Sequence, residues 1–262
     1  MMDENNLAEL PTPPPSKAAE PAEEPQMSEI ATIGSIFIEP GQVFQDLRRK
    51  PRFIIAGLLI IFAFSIFQIA FVEKFGLENI VRSRIESSKR TQDLDKDAKA
   101  QIIKQQSSDI AKYITYGATP VVIAIAFFIG GLLYWGGSKA MGGDGGYLAS
   151  VAVWIYSGVP PTIVFLIGNL IVMFLKSADD IDLATSQGGL VKANLGFFVD
   201  QKSMPVVAAL LGSIDLFAIW GWVLAAIGLQ KIAKLSSGSA WAVVAIIALI
   251  KVSFTVIGAM LF

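Results

Sequence analysis

The 262-residue sequence contains no cysteine and no histidine. Without cysteine there is no disulfide, no thiolate nucleophile and no zinc–thiolate site. Without histidine the commonest general base, the imidazole metal ligand and the usual switch near neutral pH are missing together. Charge is scarce too: 16% of residues are Asp, Glu, Lys or Arg, and the formal net charge is −1. General nucleic-acid affinity needs clustered cationic surface to displace counterions, so that class of partner is excluded. What fills the chain is apolar, with 53% hydrophobic residues and a mean hydropathy of +0.58. That is too apolar for an ordinary soluble domain and enough for several bilayer spans.

Residues 1 to about 30 hold six prolines and seven acids against one basic residue, Lys17. Such a composition cannot bury enough apolar surface to offset chain entropy, so 1–32 reads as a disordered tail, with the Pro11–Pro15 run solvated. It lacks a basic n-region followed by an apolar h-region and does not read as a secretory signal peptide. Residues 33–262 read as one all-α, polytopic membrane helix bundle. From Ile33 to Lys50 the apolar positions Ile33, Ile36, Phe37, Val43, Phe44 and Leu47 form a helical stripe around Pro40-Gly41, which suits a short helix lying in the membrane interface.

Five spans are expected, at about 53–72, 116–135, 147–175, 204–229 and 240–262. The first matches the roughly 30 Å hydrocarbon core at 1.5 Å per residue. The basic cluster Arg48, Arg49, Lys50 and Arg52 abuts its start and is the candidate orientation signal. Between Glu73 and Lys112, nine basic and seven acidic residues mingle with apolar residues spaced by three and four, which predicts one or two amphipathic helices outside the bilayer. Pro120 falls within the first turns of the second span, where a missing donor costs least. The glycine-rich stretch 136–146 lacks both the Gly-Lys-Ser/Thr ending and the preceding strand of a phosphate loop, and reads as a tight turn.

The third span is apolar for 29 residues, about 43 Å as one helix. That overshoots the bilayer, so Pro160-Pro161 is expected to divide it into two helical pieces. The aspartates Asp179, Asp180 and Asp182 in the following loop do not match a calcium-loop spacing. Five spans place the two termini on opposite sides, and Trp220, Trp222 and Trp241 sit near the short Gln230–Ser239 connection, where indole rings favour the headgroups.

The run Ser213–Lys231 carries a carboxylate, Asp215, far from either end, at a cost of roughly 2.5 to 3.5 kcal/mol near the centre of a bilayer. Lys251, in the middle of the last span, has the opposite sign. In antiparallel helices the two lie about 21 and 16 Å from the same surface, so an intramembrane ion pair between Asp215 and Lys251 is expected. The alternative is that each charge separately finds water or a backbone carbonyl.

Three segments together resemble a known family. They are DLFAIWGWVLAAIGLQK within Ser213–Lys231, IEPGQVFQDLRRKPR at Ile38–Arg52, and GGDGGYLASVAVWIYSGVPP at Gly142–Pro161. In order and spacing they are similar to the signatures of Yip-domain membrane proteins of the bacterial type, over about residues 36–262. The resemblance implies a non-catalytic integral membrane protein that acts by assembly, as a scaffold, membrane-organising or trafficking-type factor. It also implies an N-terminus in the cytoplasm. Eukaryotic members interact with Rab-type GTPases, but the Asp-Leu-Tyr-Gly-Pro-like motif of that branch is absent ahead of the first span, which argues against carrying GTPase binding over.

The residues show no Ser/His, His/Asp or metal-ligand constellation, so the chain reads as no enzyme, with no catalytic residue, no cofactor and no metal. The partners expected are the lipid bilayer and other membrane proteins or a second copy, without nucleic acid. The alternative function is a small permeation or transport protein with a polar midplane site at Asp215 and Lys251. The location expected is a bacterial cytoplasmic membrane, or Golgi and endoplasmic-reticulum membranes for a eukaryotic chain.

Overall fold

The computed structural model describes residues 26–183, 186, 189–200 and 203–261. Most of the segment expected to be a disordered tail lies outside the described residues. Its last part does not: Ser28 caps helix α1 (Glu29–Ser35) by accepting from Ala31 N–H at 3.2 Å, so the ordered chain begins ahead of residue 33. The remaining helices are α2 (Pro40–Arg49), α3 (Ile54–Phe75), α4 (Leu77–Ser87), α5 (Lys96–Gln106), α6 (Asp109–Ala140), α7 (Tyr147–Leu175), α8 (Pro205–Gly212), α9 (Leu216–Ile232) and α10 (Ser237–Leu261). No strand occurs among the described residues.

Four of these helices, α3, α6, α7 and α10, are long and apolar enough to cross a membrane. They expose large aliphatic and aromatic side chains along most of their length, as a lipid-facing surface requires. The segment expected as the fourth span is not one helix. It is divided between α8 and α9 at residues 213–215. The third span shows the reverse. α7 runs unbroken from Tyr147 to Leu175 with Pro160 and Pro161 inside it, so the expected division there does not occur. Proline removes an intrahelical donor, leaving the carbonyls of Tyr156 and Ser157 without their usual partners. Both prolines are buried, and Gly221 of α9 lies close beside this stretch. A side chain there would meet Ser157 O at 3.6 Å and Pro161 at 3.8 Å. Pro120 is likewise interior, because α6 begins at Asp109 rather than near residue 116.

The largest hydrophobic cluster joins α7, α9 and α2. Ile36, Val43, Phe44 and Leu47 have no exposed surface, so α2 does not lie with its apolar stripe against lipid as the sequence suggested. It docks on the bundle instead. Gly228 on α9 makes room for it: a Cβ at that position would lie 2.7 Å from Val153 and 3.1 Å from the Phe44 ring. At the other end of the bundle α4 and α5 pair around Val81, Ile85 and Ile103, as the amphipathic spacing predicts.

Candidate functional site: a broken helix and its polar supports

Asp215 ends the extended step between α8 and α9 and is the N-cap of α9, its carboxylate accepting from Ala218 N–H at 2.6 Å. Its backbone is extended and bridges antiparallel to Asn194, and Leu216 N–H donates to Ala193 O at 3.1 Å. The chain before it is rounded off by Ser213, whose hydroxyl donates to Ala209 O at 2.7 Å. A helix interrupted inside an apolar bundle strands backbone donors and acceptors, and the loop after α7 returns to satisfy them. Asn169, fully buried on α7, anchors that loop. Its Oδ1 accepts from Leu190 N–H at 2.5 Å and Val191 N–H at 3.3 Å, while its Nδ2 donates to Phe165 O at 2.7 Å. The turn Leu195–Phe198 then packs on α8, where Gly196 comes so close that a Cβ would sit 2.9 Å from Gly212 N.

This arrangement replaces the expected ion pair. No salt bridge joins Asp215 to Lys251 among the described residues. The carboxylate is compensated locally, by the amide groups and positive dipole end of the helix it caps. Lys251 stands exposed on α10.

A second polar centre lies under α1 and α2. Asp46 is 2% exposed and accepts from Gln26 N–H at 2.5 Å and Met27 N–H at 3.3 Å. Arg52 donates to the same carboxylate and also to Thr32 at 3.1 Å, and Thr32, itself fully buried, donates to Ser28 O at 2.7 Å. Burial pushes the Asp46 carboxyl up, but the Gln26 amide, the Arg52 guanidinium and the Met27 amide outweigh it and hold the group below its ordinary range. The four cations expected to mark orientation are therefore not equivalent. Arg52 and Arg49 are drawn to Asp46, Arg49 at 3.9 Å, while Arg48 and Lys50 are exposed. At the same end Lys234 and Asp144 pair at 3.0 Å across the α6–α7 and α9–α10 turns, and Asp144 N–H donates to Ala233 O at 3.1 Å. The Lys234 ammonium lowers the Asp144 carboxyl below the usual range.

The opposite end is tied as well. Lys112 and Glu73 pair at 2.6 Å, and Tyr116 OH donates to Glu73 at 2.9 Å. Lys74 donates to Lys176 O at 2.5 Å and to Met173 O, closing the carbonyl end of α7 where a cation is favourable. Thr119 donates to Gln68 between α6 and α3. Among the described residues no cluster of three or more His, Cys, Asp or Glu is placed to hold a metal. Three of these residues escaped the sequence reading. Asn169 is a lone amide in an otherwise apolar run, Asp46 is the acid beside a basic cluster, and Lys74 is a cation just past a span.

The sequence that folds in this way matches a known domain. The Yip1 domain model matches residues 34–260, nearly the whole described chain. The chain belongs to the Yip1 domain family. Among curated proteins the Yip1 chain is similar to the membrane protein YknW of Bacillus subtilis (strain 168). The two are 24% identical over 217 residues, which is 82% of this chain and 84% of YknW. No solved structure matches the chain. The family match and the four long apolar helices together make this Yip1 protein an integral membrane protein. The matched residues include Asp46, Arg52, Asn169 and the Asp215 cap, while Gln26, Met27 and Thr32 lie ahead of the match.

Proposed function

We propose that this Yip1 protein is a non-catalytic membrane scaffold that works by assembling with other membrane proteins and crosses the bilayer five times. The observation that carries the reading is how the polar side chains inside the bundle are used. Asn169 braces the loop after α7 and the Gln68–Thr119 pair joins α3 to α6, while Asp215 and Ser213 serve backbone groups of the broken helix itself. α8 and α9 together supply the fifth crossing, with the loop around Asn194 sealing their junction. A second reading is supported by that same junction. Discontinuous helices flank solute sites in transporters, which keeps a small permeation protein with a site at Asp215 as the alternative.

The two readings separate in one comparison. Affinity purification from native membranes is expected to bring down defined membrane partners, while liposomes holding only this protein should show no solute uptake above empty vesicles. Uptake that Asp215→Asn abolishes would reverse the assignment.

The bilayer is a bacterial cytoplasmic membrane, a location that the similarity to a Bacillus subtilis membrane protein supports. The end bearing Arg48 and Lys50 faces the cytoplasm, because exposed cations next to a span are retained on that side. Ser237 starts α10 beside this end and Ser87 ends α4 on the far hairpin. With no native cysteine as background, Ser87→Cys should react with an impermeant thiol reagent added to intact cells and Ser237→Cys should not. The opposite labelling pattern would invert the topology.

A further inference from the structure

Lys251 is an exposed ammonium at mid-length on an apolar helix, and no described carboxylate lies within salt-bridge distance of it. At 1.5 Å per residue it stands about 21 Å from the start of α10 and about 15 Å from its end, so neither headgroup layer is near. Beside it Ile246, Leu249, Ile250, Ser253, Phe254 and Ile257 line a shallow apolar groove of about 380 Å³. The same chain carries the complementary group. Asp215 is half-buried, flanked by Ile214 and Leu216, which are 47% and 66% exposed. It sits at a similar depth, about 25 Å from the end of α9. Both α8 and α9 pack against α10, so the elements that carry the anion and the cation are neighbours in the bundle.

We propose that this region is a self-association surface: two copies lie parallel in the bilayer about a twofold axis along its normal, each Lys251 pairing with the partner's Asp215. A twofold interface places the same patch on both sides, so one surface bearing one cation and one anion completes two ion pairs. Parallel copies keep the depth of each group, and the match in depth is what makes the pairing reciprocal. Asp215 can accept the lysine without leaving its helix, because the cap uses one carboxylate oxygen, Oδ1. The apolar groove and Ser253 supply the close packing that drives helix association where water is absent. This inference rests on the assembly reading and names the first partner as a second copy.

The test uses the full chain in lipid vesicles, labelled at Ser237→Cys with donor or acceptor dye, with energy transfer followed against the protein-to-lipid ratio. The parent should associate. Lys251→Met and Asp215→Asn, the second of which keeps a capping side chain, should each weaken association about tenfold, the scale of two intramembrane polar pairs. The decisive arm mixes two repulsive chains. Asp215→Lys alone and Lys251→Asp alone should stay monomeric, yet the two together should associate nearly as well as the parent, which an ion pair within one chain cannot produce. Should Asp215→Lys fail to fold, Lys251→Arg retaining association while Lys251→Met loses it supports the same pairing. Transfer no greater than random proximity at every ratio, or association that Lys251→Met leaves unchanged, overturns the proposal. A monomeric parent that still brings down partners from native membranes would remove the self-association while leaving the scaffold reading intact.

Discussion

Asp46→Ala should destabilise the protein by about 3–5 kcal/mol, the scale for removing one partner of a buried ion pair. The loss has a specific source. Arg52 keeps only 9% of its side chain exposed, and its Nε already lacks a partner. Without Asp46 its charge is stranded in the core, and the Gln26 and Met27 amides lose their acceptor at the same time. Thermal unfolding in detergent should show a large drop for Asp46→Ala, and Asp46→Leu combined with Arg52→Met should recover much of it. Equal or greater damage in the double variant would mean that the pair itself, and not the stranded charge, supplies the stability. The pH dependence follows from the lowered Asp46 pKa. A carboxyl depressed on folding stabilises fully above its unfolded value of about 3.9, and that contribution fades as pH falls through the lower folded value. The parent should therefore lose stability in that acid range more steeply than the double variant does.

Phe44→Ala is expected to cost about 3–5 kcal/mol and to act locally, releasing α2 from the bundle. Phe44 is fully buried and fills the space that Gly228 leaves beside Val153. The apolar residues Ile36, Val43 and Leu47 share that docking and nothing covalent holds it, so a cavity under Phe44 weakens the whole contact. A cysteine at the buried Val43 reports the event directly. In the parent background Val43→Cys should be slow to react with a thiol reagent, and in the Phe44→Ala background it should react readily. Unchanged protection would place the main anchor of α2 elsewhere.

The Asp46 centre is half legible in the sequence. The basic cluster Arg48–Arg52 is plain in the sequence, and charges beside a span read naturally as an orientation signal. That Arg52 turns inward to Asp46 is not legible, because it depends on α1 folding back to bring Gln26, Met27 and Thr32 over the same carboxylate. The Pro160-Pro161 step misled for a related reason. Proline chemistry is local and predicts a break, but α7 runs on through both prolines, with α9 packed close to Pro161 at Gly221. Asp215 misled in the opposite sense. A charge inside an apolar run asks for compensation, and Lys251 was the obvious partner of opposite sign. The structure compensates Asp215 by ending one helix and starting another there.

By itself the sequence determined the class of molecule: apolar runs long enough for a bilayer, an amphipathic helical hairpin, no histidine or cysteine chemistry, and motifs spaced as in the Yip1 family. These follow from quantities that add along the chain, namely hydropathy, periodicity and residue type, so no knowledge of neighbours in space is needed. Only the tertiary structure decided that α2 docks on the bundle, that α7 stays whole and that the apolar run 204–229 is divided at Asp215. In each case a backbone or charge cost inside one segment is offset by a group from another. The Gly228 gap admits Phe44, α9 packs close to Pro161 at Gly221, and the Ala193–Asn194 backbone covers the ends exposed at the break. Local propensity measures the cost of such a feature, whereas the partner that offsets it is brought in from far along the chain by the packing of the helices.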